Sequence, residues 1–241
     1  MQNLRSVRRI AALPYPYFLV FIGLLLHGCS SLNTVKIVGT NFTDEVNQTQ
    51  NLVFTFNKNV VSDTQLGKWD STQYVRFEPT LRGKFKWTAP NELVFSPTNA
   101  LGVATDYTAV LTQELLKHSK DNFRLTSDGL RFHTPYLQVV GTETWWVRSE
   151  SSRPEARLRL RFNYPVQPQH VAERLRVSDE GVTYETRLLP SSEPETVTVA
   201  LLNADAGSDQ AAPISIQLDK GLKPALDTDF VTQQPTLRTA S

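Results

Sequence analysis

The stretch Ala156–Phe162, ARLRLRF, alternates without a break: Ala156, Leu158, Leu160 and Phe162 on one side, Arg157, Arg159 and Arg161 on the other. Strict period two over seven residues predicts a half-buried strand, because successive side chains of an extended chain point to opposite faces. A second strand of this kind is predicted at 51–57, NLVFTFN, with Leu52, Phe54 and Phe56 facing inward. The arginine stripe is expected to be a solvated strand face or an edge guarded against aggregation. Proline and glycine punctuate the whole chain, which keeps strands short and argues against long helices. Only 113–118 and 169–175 have a mildly helical pattern, and both are expected to be one-turn connectors.

These two strands are copies of one another. LVFTFNKNV at 52–60 aligns with LRLRFNYPV at 158–166, pairing Leu52 with Leu158, Phe56 with Phe162, Asn57 with Asn163 and Val60 with Val166, an offset of 106 residues. A repeat at that spacing in a chain of 241 residues predicts two units of about 100 residues, each the size of an immunoglobulin-like sandwich. The expected organisation is therefore all-β, with one sandwich over 35–137 and a second over 138–241. The second is expected to be incomplete, since the ending TLRTAS offers no closing strand. Between the repeats stand Trp145 and Trp146; adjacent on a strand, they must face opposite ways. One is expected to cap the second core and the other to pack at the interdomain junction, with ligand stacking the sharper alternative.

The front of the chain differs. Arg5, Arg8 and Arg9 precede an apolar run at 17–26, the arrangement of a secretion signal over 1–28. Pro14 and Pro16 shorten the run below the roughly 20 residues a membrane-spanning helix needs. Removal of those three arginines takes the formal charge from +1 to −2, so no basic surface for nucleic acid is expected. The end of the signal resembles a bacterial lipobox, with Leu26 at −3, Gly28 at −1 and Cys29, the single cysteine, as acceptor; His27 at −2 departs from the pattern. That resemblance implies cleavage before Cys29, lipid on its thiol and a tether over 29–34. Serine rather than aspartate at position 30 implies the outer membrane. With no second cysteine there is no internal disulfide to form, so apolar packing must hold the fold.

Chemistry is sparse. His118, His133 and His170 are far apart and show no ligand spacing, no nucleophile motif or phosphate-cradling glycine loop is present, and no cofactor or metal is expected. Asp205, Asp209, Asp227 and Asp229 read as turn residues before they read as calcium ligands. The sequons at Asn41 and Asn47 fall in a chain whose lipobox is bacterial, so glycosylation is not expected.

In the first unit, Leu93, Phe95, Pro97, Leu101, Thr105, Tyr107 and Val110 form a constellation that resembles bacterial Ig-like modules. Phe95 and Tyr107 are expected on neighbouring antiparallel strands, with Leu101 plugging the open end. The fuller order of lipobox, tether, FNKNV (56–60), GKFKW (83–87), LVFSP (93–97), TDYTAVL (105–111) and LRFHTP (130–135) resembles the amino-terminal portion of bacterial alpha-2-macroglobulins. In that resemblance LRFHTP closes the first module. It implies a membrane-anchored stalk of a protease trap whose partner is a target protease. The Cys–Gln thioester of some relatives is absent, for the chain has no C-x-E-Q. The alternative from a different class is a free-standing adhesin or glycan-binding lipoprotein, using exposed loops and Trp145 or Trp146.

Overall fold

The computed structural model describes residues 33–148, 154–179, 181–204, 214–226 and 237–240. The signal, lipobox and Cys29 lie outside these residues, as do Asp205, Asp209, Asp227 and Asp229.

The chain is all-β, and each repeat builds a sandwich. In the first, β1 (Thr34–Val35) leads into β2 (Ile37–Thr40), followed by β3 (Leu52–Phe56), β4 (Trp69–Asp70), β5 (Val75–Glu78), β6 (Gly83–Ala89), β7 (Glu92–Pro97), β8 (Asp106–Leu111), β9 (Arg124–Leu125) and β10 (Leu130–His133). One sheet has the order β2-β3-β7-β6-β4 and the other β10-β8-β5, while β1 and β9 form a short parallel pair. The period-two pattern decides what meets between the sheets. Leu52, Phe54, Phe56, Phe85, Trp87, Leu93 and Phe95 come from the first sheet, and Val75, Phe77, Tyr107, Ala109 and Phe132 from the second; all are buried in one cluster. Aromatic rings lock the two faces, Phe77 lying 4.6 Å from Phe95 and 6.2 Å from Phe54. LRFHTP supplies β10, which ends its sheet as the resemblance implies.

Phe95 and Tyr107 do not lie on neighbouring strands. Strand β7 pairs with β3 and β6, and β8 with β5 and β10, so the chain crosses between sheets after Pro97. Leu101 sits in that crossing, 1% exposed, and plugs the end as expected. Gln48 holds it from both sides, accepting the Leu101 amide at its carbonyl (2.8 Å) and donating its side-chain amide to the Leu101 carbonyl (2.8 Å).

The second repeat continues with β11 (Val139–Val147), β12 (Glu155–Phe162), α1 (Pro168–Arg174), β13 (Leu175–Asp179), β14 (Val182–Leu189), β15 (Thr196–Leu202), β16 (Ser215–Leu218) and β17 (Leu237–Ala240). These strands form one sheet of order β11-β12-β15-β14-β13-β16-β17. It folds over at β14, whose residues 182–184 pair with β13 and 185–189 with β15. The two halves then face each other, burying Leu158, Leu160, Val197 and Val199 from one against Val177, Ile216 and Leu218 from the other. The segment expected to be a one-turn connector is a seven-residue helix begun by Pro168, and its Val171 is fully buried in this core. Residues within TLRTAS, read as offering no closing strand, form β17, paired antiparallel with β16.

Seven strands of the first repeat have counterparts in the second, and β1, β4 and β9 have none among the described residues. Sheets β2-β3-β7-β6 and β5-β8-β10 match β11-β12-β15-β14 and β13-β16-β17, the four-plus-three arrangement of a constant-type immunoglobulin domain. The correspondence extends to single hydrogen bonds. Phe56 and Val60 donate their amides to the carbonyls of Asn91 (2.8 Å) and Pro90 (2.7 Å); Phe162 and Val166 do the same to Glu195 (2.8 Å) and Pro194 (3.0 Å). Asn57 accepts the Lys36 amide at Oδ1 (2.9 Å) and donates Nδ2 to the Thr34 carbonyl (3.0 Å). Asn163 accepts from Gln138 (2.9 Å) and donates to Tyr136 (2.7 Å). The repeated asparagine thus clamps the entering strand of each sandwich. Those entering strands are themselves a repeat, VKIVGT at 35–40 and LQVVGT at 137–142, with a bulge before the glycine in each.

Losing the clamp removes two side-chain hydrogen bonds from each entering strand. Asn57→Ala and Asn163→Ala are each expected to cost about 1 kcal/mol in urea unfolding. Asn163→Asp, which keeps the acceptor and loses the donor, should fall between wild type and alanine.

Candidate functional site

The geometry of interest is the joint between the sandwiches. It begins in the β7–β8 crossing. Val103, on a loop of the first sandwich, is 6% exposed and packs in the core of the second, beside Leu137. Ala104 is held at φ 46°, a left-handed conformation costing an L-residue about 1–2 kcal/mol. Its neighbours fix it there. Thr105 donates its amide to Thr134 Oγ1 (3.0 Å), Thr134 Oγ1 donates to the Gly102 carbonyl (2.6 Å), and the Thr134 amide bonds the Thr105 carbonyl (3.0 Å). Thr134, the start of the linker, is fully buried, and Leu137, its end, is 2% exposed.

The linker's Tyr136 stacks on His133 at 4.2 Å with rings 8° apart, and its hydroxyl donates to Asp106 Oδ1 at 2.6 Å. Burial first, then the Asp106 carboxylate with Asp44 and Glu45 beyond it, pushes the phenol up to about 12. Asp44 is held below the usual carboxylate range by backbone and Thr43 hydrogen bonds, with His133 adding to them. Since Tyr136 is neutral when protonated and its folded value lies above its ordinary 10, its contribution is fully present below about pH 10. That contribution is lost as pH rises through about 12. Thermal melts between pH 8 and 12 should show Tyr136→Phe about 1 kcal/mol less stable at pH 8, with the difference vanishing at the alkaline end.

The arginine stripe lies on the outer face of β12, but β12 runs between β11 and β15, so the stripe does not guard an edge. It is knitted to its neighbours instead. Glu155 bridges Arg157 (3.0 Å) and Arg187 (2.5 Å), and Arg157 foremost holds the Glu155 carboxyl below its ordinary range. Arg159 pairs with Glu143 at 3.1 Å. Arg161, Arg159 and Arg157 stand opposite Thr196, Thr198 and Ala200 of β15, which are 4%, 9% and 0% exposed on a face that alternation alone assigns to water.

Trp145 and Trp146 do face opposite ways. Trp145 stands opposite Arg157 on the outer face and carries the Arg159 guanidinium 4.9 Å from its ring centre. Trp146 stands opposite Ala156 on the core side and is 49% exposed. Neither indole belongs to the second core, and both are at the far end of β11, with Trp146 about 24 Å along the strand from Val139, where the chain leaves the joint. The expected capping and junction roles fall to Leu137 and Val103. No sequence periodicity marks Val103, because a knob on a loop belongs to no strand pattern. Among the described residues no group of three or more His, Cys, Asp or Glu is placed to hold a metal ion, and no helix is long and apolar enough to cross a membrane.

Comparison with known families agrees with this architecture: the bacterial Ig-like domain family matches residues 31–134. The matched segment is similar to that family and makes up less than half of the chain. The chain is also similar to alpha-2-macroglobulin from Pasteurella multocida (strain Pm70), 23% identical over 150 residues, covering 61% of this chain and 8% of that protein. This match bears out the alpha-2-macroglobulin resemblance read from the residues. The chain also shows a likeness to solved structures of L,D-transpeptidase 3 from Mycobacterium tuberculosis. One is 14% identical over 55% of this chain and 48% of that chain, with TM-score 0.27. Another, with a faropenem-derived adduct, is 11% identical over 75% of this chain and 76% of that chain, with TM-score 0.28. A likeness at that level carries no argument about function.

Proposed function

We propose that this chain is the membrane-anchored amino-terminal stalk of a bacterial alpha-2-macroglobulin-like protease trap in the cell envelope. On this reading it catalyses nothing. Cys29 carries the lipid, residues 29–34 form the tether, and the paired Ig-like modules hold the trapping machinery at a set distance and angle from the outer membrane. A thiolate is the nucleophile suited to lipid transfer, and each buried methylene of an attached chain adds about 0.8 kcal/mol of anchoring.

The observation that carries the reading is the match to an alpha-2-macroglobulin of which 150 residues are only 8%. That protein is about 1,900 residues long by this proportion. An antibody raised against the Ig-like modules is expected to detect, in the membrane fraction, a species several times heavier than 27.2 kDa. Added protease should be retained by that species in a form still active on small substrates. A species of 27 kDa alone, or one that retains no protease, contradicts the reading. Cys29→Ser is expected to move the protein from the membrane to the soluble fraction.

A further inference from the structure

The two modules part company on one side. In the first, the chain leaving β2 crosses from one sheet to the other. Asn41 eases the crossing, taking the Val53 amide at Oδ1 (2.9 Å) and donating Nδ2 to the Asn51 carbonyl (2.9 Å). Residues 44–46 then run parallel to β10, with His133 donating to the Asp44 carbonyl (2.7 Å) and Val46 to the His133 carbonyl (2.8 Å). Phe42 wedges between the sheets, 6.1 Å from Phe54 and 5.3 Å from Phe132, and Val46 is 1% exposed. The segment Phe42–Val46 thereby seals the side on which the edges of β2 and β10 lie.

Among the described residues nothing equivalent occurs in the second module. Strand β11 keeps to β12 as far as Val147, and the positions matching Phe42 and Val46 are Thr144 and Arg148, both exposed. Strands β11 and β17 are the two ends of the folded sheet, and no strand among the described residues lies beside either outer edge. Trp146 points to the core side and stays half exposed. Arg148 has no ion-pair partner among the described residues.

We propose that the open side between β11 and β17 is a docking site for an extended strand supplied by a partner polypeptide. The first module shows what fits such a side: apolar residues four apart flanking an acidic pair, as in Phe42-Thr43-Asp44-Glu45-Val46. The strand lies parallel to β17 and takes its backbone groups, while an apolar side chain covers Trp146. Its carboxylates meet Arg148, the charge complement at the rim. This site is independent of the stalk reading.

The test uses the full chain and, as probe, a fluorescein-labelled peptide copying residues 41–48, NFTDEVNQ. Fluorescence anisotropy should show saturable binding. Trp146→Ala is expected to weaken it about thirtyfold, as for an aromatic anchor at the centre of an interface, and Arg148→Glu about tenfold. Trp145→Ala, on the opposite face, should change it less than about twofold. A peptide with Ser for Phe42 and Val46 should not bind. Hydrogen exchange should show new protection at 237–240. Absence of binding, binding indifferent to Trp146→Ala, or protection at residues 130–133 in place of 237–240 overturns the proposal. So does a Trp146-dependent dimer in light scattering without peptide, since the occupant would then be a second copy.

Discussion

Phe95→Ala lowers the stability of the first Ig-like module by about 4 kcal/mol in urea unfolding followed by near-ultraviolet circular dichroism. Phe95 is 1% exposed and central to the ring cluster, 4.6 Å from Phe77 across the sandwich and 4.8 Å from Phe85 along its own sheet. Its ring lies where a Cβ on Gly83 would stand, 2.5 Å away, so position 83 has no room for a side chain that could swing into the vacated space. Leu52, opposite Phe95 on β3, is on a strand paired on both sides, which limits backbone collapse. Truncation therefore leaves a cavity that relaxes little, and the cost is that of a fully buried phenylalanine. A loss below about 1 kcal/mol would mean the sheets are not packed through this ring.

Val103→Asp separates the unfolding of the two modules. Wild type should unfold in one calorimetric transition because the second core is completed by a residue of the first module. A carboxylate at Val103 enters that core without a partner and costs about 3 kcal/mol, enough to undock the loop before either sandwich melts. Two transitions are then expected, the earlier one assigned to residues 138–204 by the loss of β12 and β15 amide signals. Val103→Ala keeps the dock and costs about 1–2 kcal/mol without splitting the transition. A single transition in Val103→Asp would contradict the joint described above.

Much of this was legible in the residues, and the exceptions share a cause. Alternation located β3 and β12, whose inward residues are buried as expected. The 106-residue offset found the repeat, and Leu101 read correctly as a plug. The other half of the repeat, VKIVGT with LQVVGT, went unseen because it lies at an offset of 102. The spacing from the entering segment to the next repeated strand is four residues longer in the second module, so one offset aligns only one of the pairs. Placing Phe95 and Tyr107 on neighbouring strands failed for a related reason. Local pattern shows that two stretches are strands and says nothing about which sheet each joins; here β7 and β8 are consecutive yet opposed. Trp145 and Trp146 were rightly assigned to opposite faces, while the depth of each face depends on whether a facing strand covers it. The outward residues of β15 are buried where arginines of β12 and β14 stand opposite them, a neighbourhood that no periodicity within β15 records.

The two sandwiches meet through Val103, Thr134, Tyr136 and Leu137, and a joint packed and hydrogen-bonded in this way is expected to make them tumble as one body. Backbone amide nitrogen relaxation of the whole chain tests this most directly. A single rotational correlation time and diffusion tensor shared by β3, β7, β12 and β15 is the predicted result; separate, shorter correlation times for residues 35–134 and 138–204 would contradict it.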